Sequence, residues 1–353
     1  MILKHSNVVT VAQLGAFDEV IDVRSPSEFA LDHVPDASNC PVLDDEERAR
    51  VGTIYTQVSP FDARKLGAAL VAKNIARHIE QHFRSRERGW RPLVYCWRGG
   101  KRSAAMAHVL REIGWHAATL AGGYRAYRRE VLAQLEELPR RFRFQVVCGA
   151  TGSGKSRLLE ALAAQGAQVL DLERLACHRG SVLGDLPGEP QPSQKMFDSL
   201  VWSALRRFDP QRPVWVEAES KKIGQLQVPG ALLERMREGE CVRIEAPVAE
   251  RVRFLIEEYG HFLQQPAALK QKLECLLPLY GRAVIDRWLA QTDAGAWQEL
   301  VADLLVNHYD PAYLRAASRN YVQYEKSRLL QVERLDEASL RRAARCVTGL
   351  PEL

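Results

Sequence analysis

Residues 149–156 read Gly149-Ala150-Thr151-Gly152-Ser153-Gly154-Lys155-Ser156, an uninterrupted G-x-x-x-x-G-K-S sequence. The apolar run Phe144-Gln145-Val146-Val147-Cys148 precedes it, and a stretch of helical composition, Arg157 to Ala164, follows. This setting narrows what the region can fold into. Glycines let backbone N–H groups converge on phosphate oxygens, the helix N-terminus adds partial positive charge, and the lysine adds a full one. The sequence therefore predicts that Gly149–Ser156 binds a diphosphate or triphosphate, with Lys155 as its cation and the Ser156 hydroxyl as ligand of a Mg²⁺ ion.

A phosphate-loop domain begins with its loop strand, so the residues before it must form something else. With 353 residues in the chain, the expected organisation is one domain over 1–138 and a second over 139–353 that ends in a helical extension from about 268. No apolar run is long enough to span a bilayer. The start, Met1-Ile2-Leu3-Lys4-His5-Ser6, lacks the regions of a signal peptide. The expectation is a cytoplasmic protein with no membrane association. A net charge of +5 is modest, so any nucleic-acid footprint must be local. Seven cysteines are scattered without C-x-x-C spacing, which argues against a disulfide framework and a structural zinc site.

One cysteine stands apart. Cys96 follows the apolar run Leu93-Val94-Tyr95 and opens the loop Cys96-Trp97-Arg98-Gly99-Gly100-Lys101-Arg102-Ser103, ahead of a helical segment from Ala104 to Ile113. A cysteine on such a turn faces a ring of N–H groups at a helix N-terminus, and Arg98, Lys101 and Arg102 add cations. Both favour a thiolate. Cys96 is the catalytic candidate and Trp97–Ser103 its anion loop.

Between the two motifs, Tyr124 to Leu135 reads as an amphipathic helix stopped by Pro139, and Arg140-Arg141-Phe142-Arg143 leads into the loop strand. Arginines interleaved with aromatics suit RNA, although a solvated helix face explains the same pattern. Beyond the loop, Gln168-Val169-Leu170-Asp171 and Val214-Trp215-Val216-Glu217 are apolar runs ending in an acid, and Cys241-Val242-Arg243-Ile244-Glu245 is a further strand. Asp171 and Glu217 are candidates for holding Mg²⁺ through water, or for capping helices, and Arg251 for touching phosphate. No N-K-x-D or L-S-G-G-Q sequence occurs, which argues against a translational GTPase and an ABC-type ATPase. The overall expectation is α/β, with two mostly parallel sheets.

Two segments give the first domain a family likeness. Val20-Ile21-Asp22-Val23-Arg24-Ser25-Pro26-Ser27-Glu28-Phe29 with Asp32 to Asn39, and Leu120-Ala121-Gly122-Gly123-Tyr124, resemble the two signatures of rhodanese domains. The Cys96 loop is one residue longer than the usual sulfur-carrying form, and Asp36 stands where glycine is more common. By this likeness Asp22 and Arg24 are structural partners rather than catalysts.

Both domains together resemble the bacterial tRNA 2-selenouridine synthase family over essentially the whole chain. Cys96 to Gly100, Gly149 to Ser156, Asp171-Leu172-Glu173, His178 to Ser181, Gln191 to Gln194, Glu217 to Ser220 and Arg243 to Pro247 carry the match. Lys101 replaces a methionine of the family. The resemblance implies an enzyme acting on 2-thiouridine at the wobble position of tRNAs for Lys, Glu and Gln. It implies geranyl diphosphate and selenophosphate as co-substrates, geranylation at the phosphate loop, and selenium delivery at the Cys96 loop. The residues leave open whether Cys96 carries selenium covalently or positions the reagent. An ATP-dependent sulfurtransferase, or a regulator with the phosphate loop as a nucleotide switch, remains as an alternative. No protein partner is legible.

Overall fold

The computed structural model describes residues 7–349, and these divide into two compact units. The first runs to Gln134 and includes the segment Ser193–Ser203; the second comprises Leu135–Pro192 and the chain from Ala204 onward.

In the first unit, β1 (Val8–Val9), β2 (Glu19–Asp22), β3 (Ser38–Asn39), β4 (Pro92–Tyr95) and β5 (Ala118–Leu120) make one sheet in the order β1-β5-β4-β2-β3. Every pairing is parallel. All four residues of the central strand β4 are buried, as expected of a parallel strand covered on both faces. The core around it joins Ile21, Val23, Phe83, Met106 and Leu110. The helix Lys101–Ile113 leaves β4 through the Cys96 loop and stops at Gly114, whose φ of 109° gives a left-handed cap. Asp36 also adopts a left-handed conformation, φ 66°. This explains why glycine suits that position and why a short Asp substitutes for it.

The expected junction helix spans Gly123–Glu137 and passes into a 3₁₀ turn, Leu138–Arg141, at Pro139. Tyr127, Val131 and Leu135 are buried; their four-residue spacing lines one face.

In the second unit, β6 (Phe144–Cys148), β7 (Gln168–Leu170), β8 (Val214–Glu217), β11 (Glu240–Glu245) and β12 (Arg328–Gln331) form another wholly parallel sheet, ordered β12-β11-β6-β8-β7. A separate hairpin pairs β9 (Lys222–Ile223) with β10 (Leu226–Gln227). Four strands match the apolar runs read from the sequence. The edge strand β12 was not foreseen, because three of its four residues are exposed and it lacks the apolar signal of a buried strand. From Pro266 onward the unit is otherwise helical, with its own core of Phe262, Leu273, Trp288, Leu300 and Leu304.

Candidate active sites

The two predicted loops each stand at the C-terminal end of a central strand, β4 or β6, where an open parallel sheet presents its ligand crevice.

Cys96 is buried at the floor of its loop. Its Sγ lies 3.2 Å from Ser103 Oγ and 3.9 Å from the Gly100 carbonyl. The first intrahelical bond after the loop runs from Ala104 N to Gly100 O, so the N–H groups before it have no helical partner. Two glycines hold the loop against the second rhodanese-like segment. A Cβ on Gly123 would stand 2.2 Å from Cys96 O, and one on Gly99 would stand 2.6 Å from Leu120 O. Tyr124 N donates to Cys96 O and Arg125 N to Trp97 O, while the Trp97 ring stacks on Tyr124 at 5.2 Å. Arg98 and Lys101 are exposed. Arg102 is less free, since its Nη1 is 3.3 Å from Glu28. The loop thus offers two cations, helix N–H groups and one thiol to a small anion.

Asp22 and Arg24 lie beneath this loop. Both are buried, paired at 2.6 Å, with Arg24 also donating to Asp32 O and lying 4.0 Å from the Tyr124 ring centroid. Asp32, also buried, accepts from Tyr124 and from Ser199. Arg128, read as part of an RNA-facing helix, pairs with Asp198 and bonds Lys195 O. Arg125, Arg129 and Arg141 are exposed.

At the second loop, Gly149 has no room for a side chain: a Cβ would meet Ser153 Oγ at 2.4 Å and Ile244 O at 2.8 Å. Gly152 and Gly154 have φ of 76° and 83°, which other residues reach only with strain. Ala150 and Thr151 complete the turn, and Ser153 N closes it on Ala150 O. Lys155 opens the helix Lys155–Ala164; its Nζ donates to Gly149 O at 2.9 Å and lies 5.7 Å from the Tyr313 ring centroid. The Tyr313 hydroxyl accepts from Gly149 N at 2.6 Å. Arg251 was expected to touch phosphate. In the structure its donors are spent on Thr151 O and Asp310, so it braces the loop backbone.

Four acids gather beside the loop. Ser156 Oγ donates to Glu173 at 2.8 Å, and Glu173 N donates to Glu217. Glu217 is buried with Oε2 lacking any partner. Burial first, then repulsion from Asp171, Glu173 and Glu219, pushes its carboxyl well above the usual range. Glu219 is pushed up to about 8, by burial and then by Glu173, against the pull of Lys155. Burial likewise raises Asp171, which caps the next helix by accepting from Arg174 N.

This donor set fits a Mg²⁺ ion. The Ser156 hydroxyl is bonded to Glu173, which in turn holds Glu217, whose second oxygen has no partner. Among the described residues no three His, Cys, Asp or Glu side chains converge to hold a metal by themselves, consistent with an ion that takes water and phosphate oxygens as further ligands. Lys155, Ser156, Glu173, Glu219 and Tyr313 line one cleft of about 650 Å³. Glu173, Glu219, Tyr313 and Asp310 were not assigned roles from sequence. Glu173 and Glu219 sit two residues beyond strand-end acids, a usable signal; Tyr313 and Asp310 lie far along the chain, with none.

A rhodanese-like domain model matches residues 10–130, and a tRNA 2-selenouridine synthase AAA domain model matches residues 142–276. The chain is 34% identical over 279 residues to a tRNA 2-selenouridine synthase of Nitrosomonas europaea, covering 78% of this chain and 71% of that protein. It is 32% identical over 332 residues to one of Alcanivorax borkumensis, covering 85% and 90%. A third, from Hydrogenovibrio crunogenus, is 38% identical over 248 residues, covering 68% and 67%.

Proposed function

From its membership of the tRNA 2-selenouridine synthase family, a family of tRNA-modifying enzymes, we propose that this chain converts wobble 2-thiouridine of tRNAs for Lys, Glu and Gln to 2-selenouridine in two steps. The supporting observation is that one chain carries two intact, chemically different anion sites, the Lys155 loop and the Cys96 loop.

Direct replacement of sulfur is difficult because a thiocarbonyl sulfur is a poor leaving group. In the first step the sulfur attacks C1 of geranyl diphosphate, the C1–O bond breaks, diphosphate departs, and the N3 proton of the base is lost. Lys155 and the N–H groups of Gly152, Gly154, Lys155 and Ser156 meet the charge that grows on the departing diphosphate. Ser156, with Glu173 and Glu217 acting through water, would hold a Mg²⁺ ion, which supplies further charge neutralisation there. In the second step the selenium of selenophosphate adds at C2, the alkylated sulfur takes up a proton and leaves as geranylthiol, and water then cleaves the P–Se bond, releasing phosphate and 2-selenouridine. Arg98, Lys101 and the N–H groups before Ala104 bind the phosphate of that reagent, and Cys96 faces its selenium.

The test is geranylation of a 2-thiouridine tRNA by purified protein. Lys155→Ala should lower the rate on the order of 10²-fold. A normal yield from this variant, or a dependence on nucleoside triphosphate turnover instead of geranyl diphosphate, would overturn the reading.

A further inference from the structure

Beside the phosphate loop lies a second, partly open apolar cavity of about 70 Å³. Its interior is aliphatic and aromatic, with Phe262, Trp297, Leu300 and Val301 among the walls. It adjoins the phosphate cleft directly: Thr151, Ser181, Leu255, Tyr259 and Tyr309 line both. The polar groups of Thr151, Ser181, Tyr259 and Tyr309 therefore stand where the two spaces meet. Leu255 ties the two spaces together, because a Cβ on Gly152 of the phosphate loop would lie 2.8 Å from its side chain. Trp297 and Val301 are only half-buried although apolar.

A nucleotide base needs hydrogen-bonding groups, which the Phe262, Leu300 and Val301 walls lack, whereas an apolar cavity of this kind accepts hydrocarbon. Its volume corresponds to roughly five to seven waters, or about 150–200 Å³ of liquid, and its open side lets a longer chain extend past the half-buried Trp297 and Val301.

We propose that this cavity seats the hydrocarbon tail of the prenyl diphosphate whose head lies on Gly149–Ser156, and that Trp297 and Val301 set the accepted chain length. The proposal rests on the alkylation reading above and deepens it by locating the tail. A chain filling the cavity holds C1 at the mouth, beside Thr151, where the departing diphosphate meets Lys155.

The test compares alkylation of a 2-thiouridine anticodon stem-loop with dimethylallyl, geranyl and farnesyl diphosphates, using inorganic diphosphate as competitor to report on the phosphate loop. Val301→Trp fills the cavity. It should raise KM for geranyl diphosphate on the order of ten-fold, spare dimethylallyl diphosphate, and leave inhibition by inorganic diphosphate unchanged. Trp297→Ala enlarges the cavity and should raise use of farnesyl diphosphate by a similar factor. An unchanged chain-length ranking in both variants, including one in which all substrates and inorganic diphosphate weaken together, overturns the tail site. Wild-type protein that alkylates with none of the three overturns the alkylation reading instead.

Discussion

Arg251 donates to the Thr151 carbonyl from both Nε and Nη2, at 2.9 and 2.7 Å, so a helix outside the phosphate loop fixes the middle of that loop. The same guanidinium is paired with Asp310 through two further bonds. One planar fork thus joins the loop to the segment that carries Tyr313.

Lysine cannot reproduce that fork. Arg251→Lys should weaken inorganic diphosphate binding on the order of ten-fold while retaining the net charge. Arg251→Ala, which strands Asp310, should also cost about 3 kcal/mol of stability. Titration calorimetry and denaturant unfolding measure the two effects. Unchanged affinity in both variants would mean the loop holds its shape alone.

Glu219 gives the second prediction. Its folded-state carboxyl lies at about 8 against an ordinary value of 4.5, so between these pH values the folded chain binds more protons than the unfolded one. Stability must then fall as pH rises through that window. Glu219→Gln should flatten the slope of Tm against pH from about 4.5 to about 8 and be more stable than wild type at pH 8. Mg²⁺, competing with the proton for these acids, should raise Tm more at pH 8 than at pH 6. A wild-type slope that is flat or positive would contradict the described acid cluster.

The buried pair under the Cys96 loop is a stability element. Arg24→Ala leaves Asp22 without its partner and should cost about 3–5 kcal/mol, since both side chains are buried and Arg24 also contacts the Tyr124 ring. Chemical denaturation followed through tryptophan fluorescence reads the loss. A change under about 1 kcal/mol would show that water replaces the pair.

What was legible in the sequence follows from how local each signal is. The phosphate loop and the Cys96 loop are contiguous strand–turn–helix segments; Gly99, Gly152 and Gly154 are required by positive φ, and Gly149 by the closeness of Ser153. Strands β4, β6 and β8 were readable because both faces are covered and they run apolar. Edge strand β12 was not, since it is mostly exposed. Arg251 was found by residue type but not by direction, because Asp310, the acid that orients it, lies 59 residues away. The pairing of Tyr313 with Gly149 spans 164 residues, and no spacing rule reaches that far.

Arg128 leaves the candidate RNA surface because it is tied to Asp198 and Lys195 O. The other five junction arginines are exposed, but Arg140 and Arg143 donate to Glu136 O and Gln211 O, which leaves Arg125, Arg129 and Arg141 as the set to test. Replacing these three with Ala should weaken tRNA binding and reduce the salt slope by roughly one phosphate contact per residue, whereas Arg128→Ala should chiefly lower stability. Binding measured across a salt series separates them, and an unchanged slope in the triple variant would make this a solvated helix face.

The central claim is that alkylation belongs to the Lys155 loop and selenium delivery to the Cys96 loop. Cys96→Ser keeps the size of the side chain but supplies no thiolate at neutral pH. The most direct measurement is mass spectrometry of nucleosides from 2-thiouridine tRNA treated with this variant, geranyl diphosphate and selenophosphate. The account predicts accumulation of S-geranyl-2-thiouridine with little or no 2-selenouridine. Full 2-selenouridine formation by the Ser variant, or loss of the geranylated nucleoside in a variant that retains wild-type thermal stability, would contradict it.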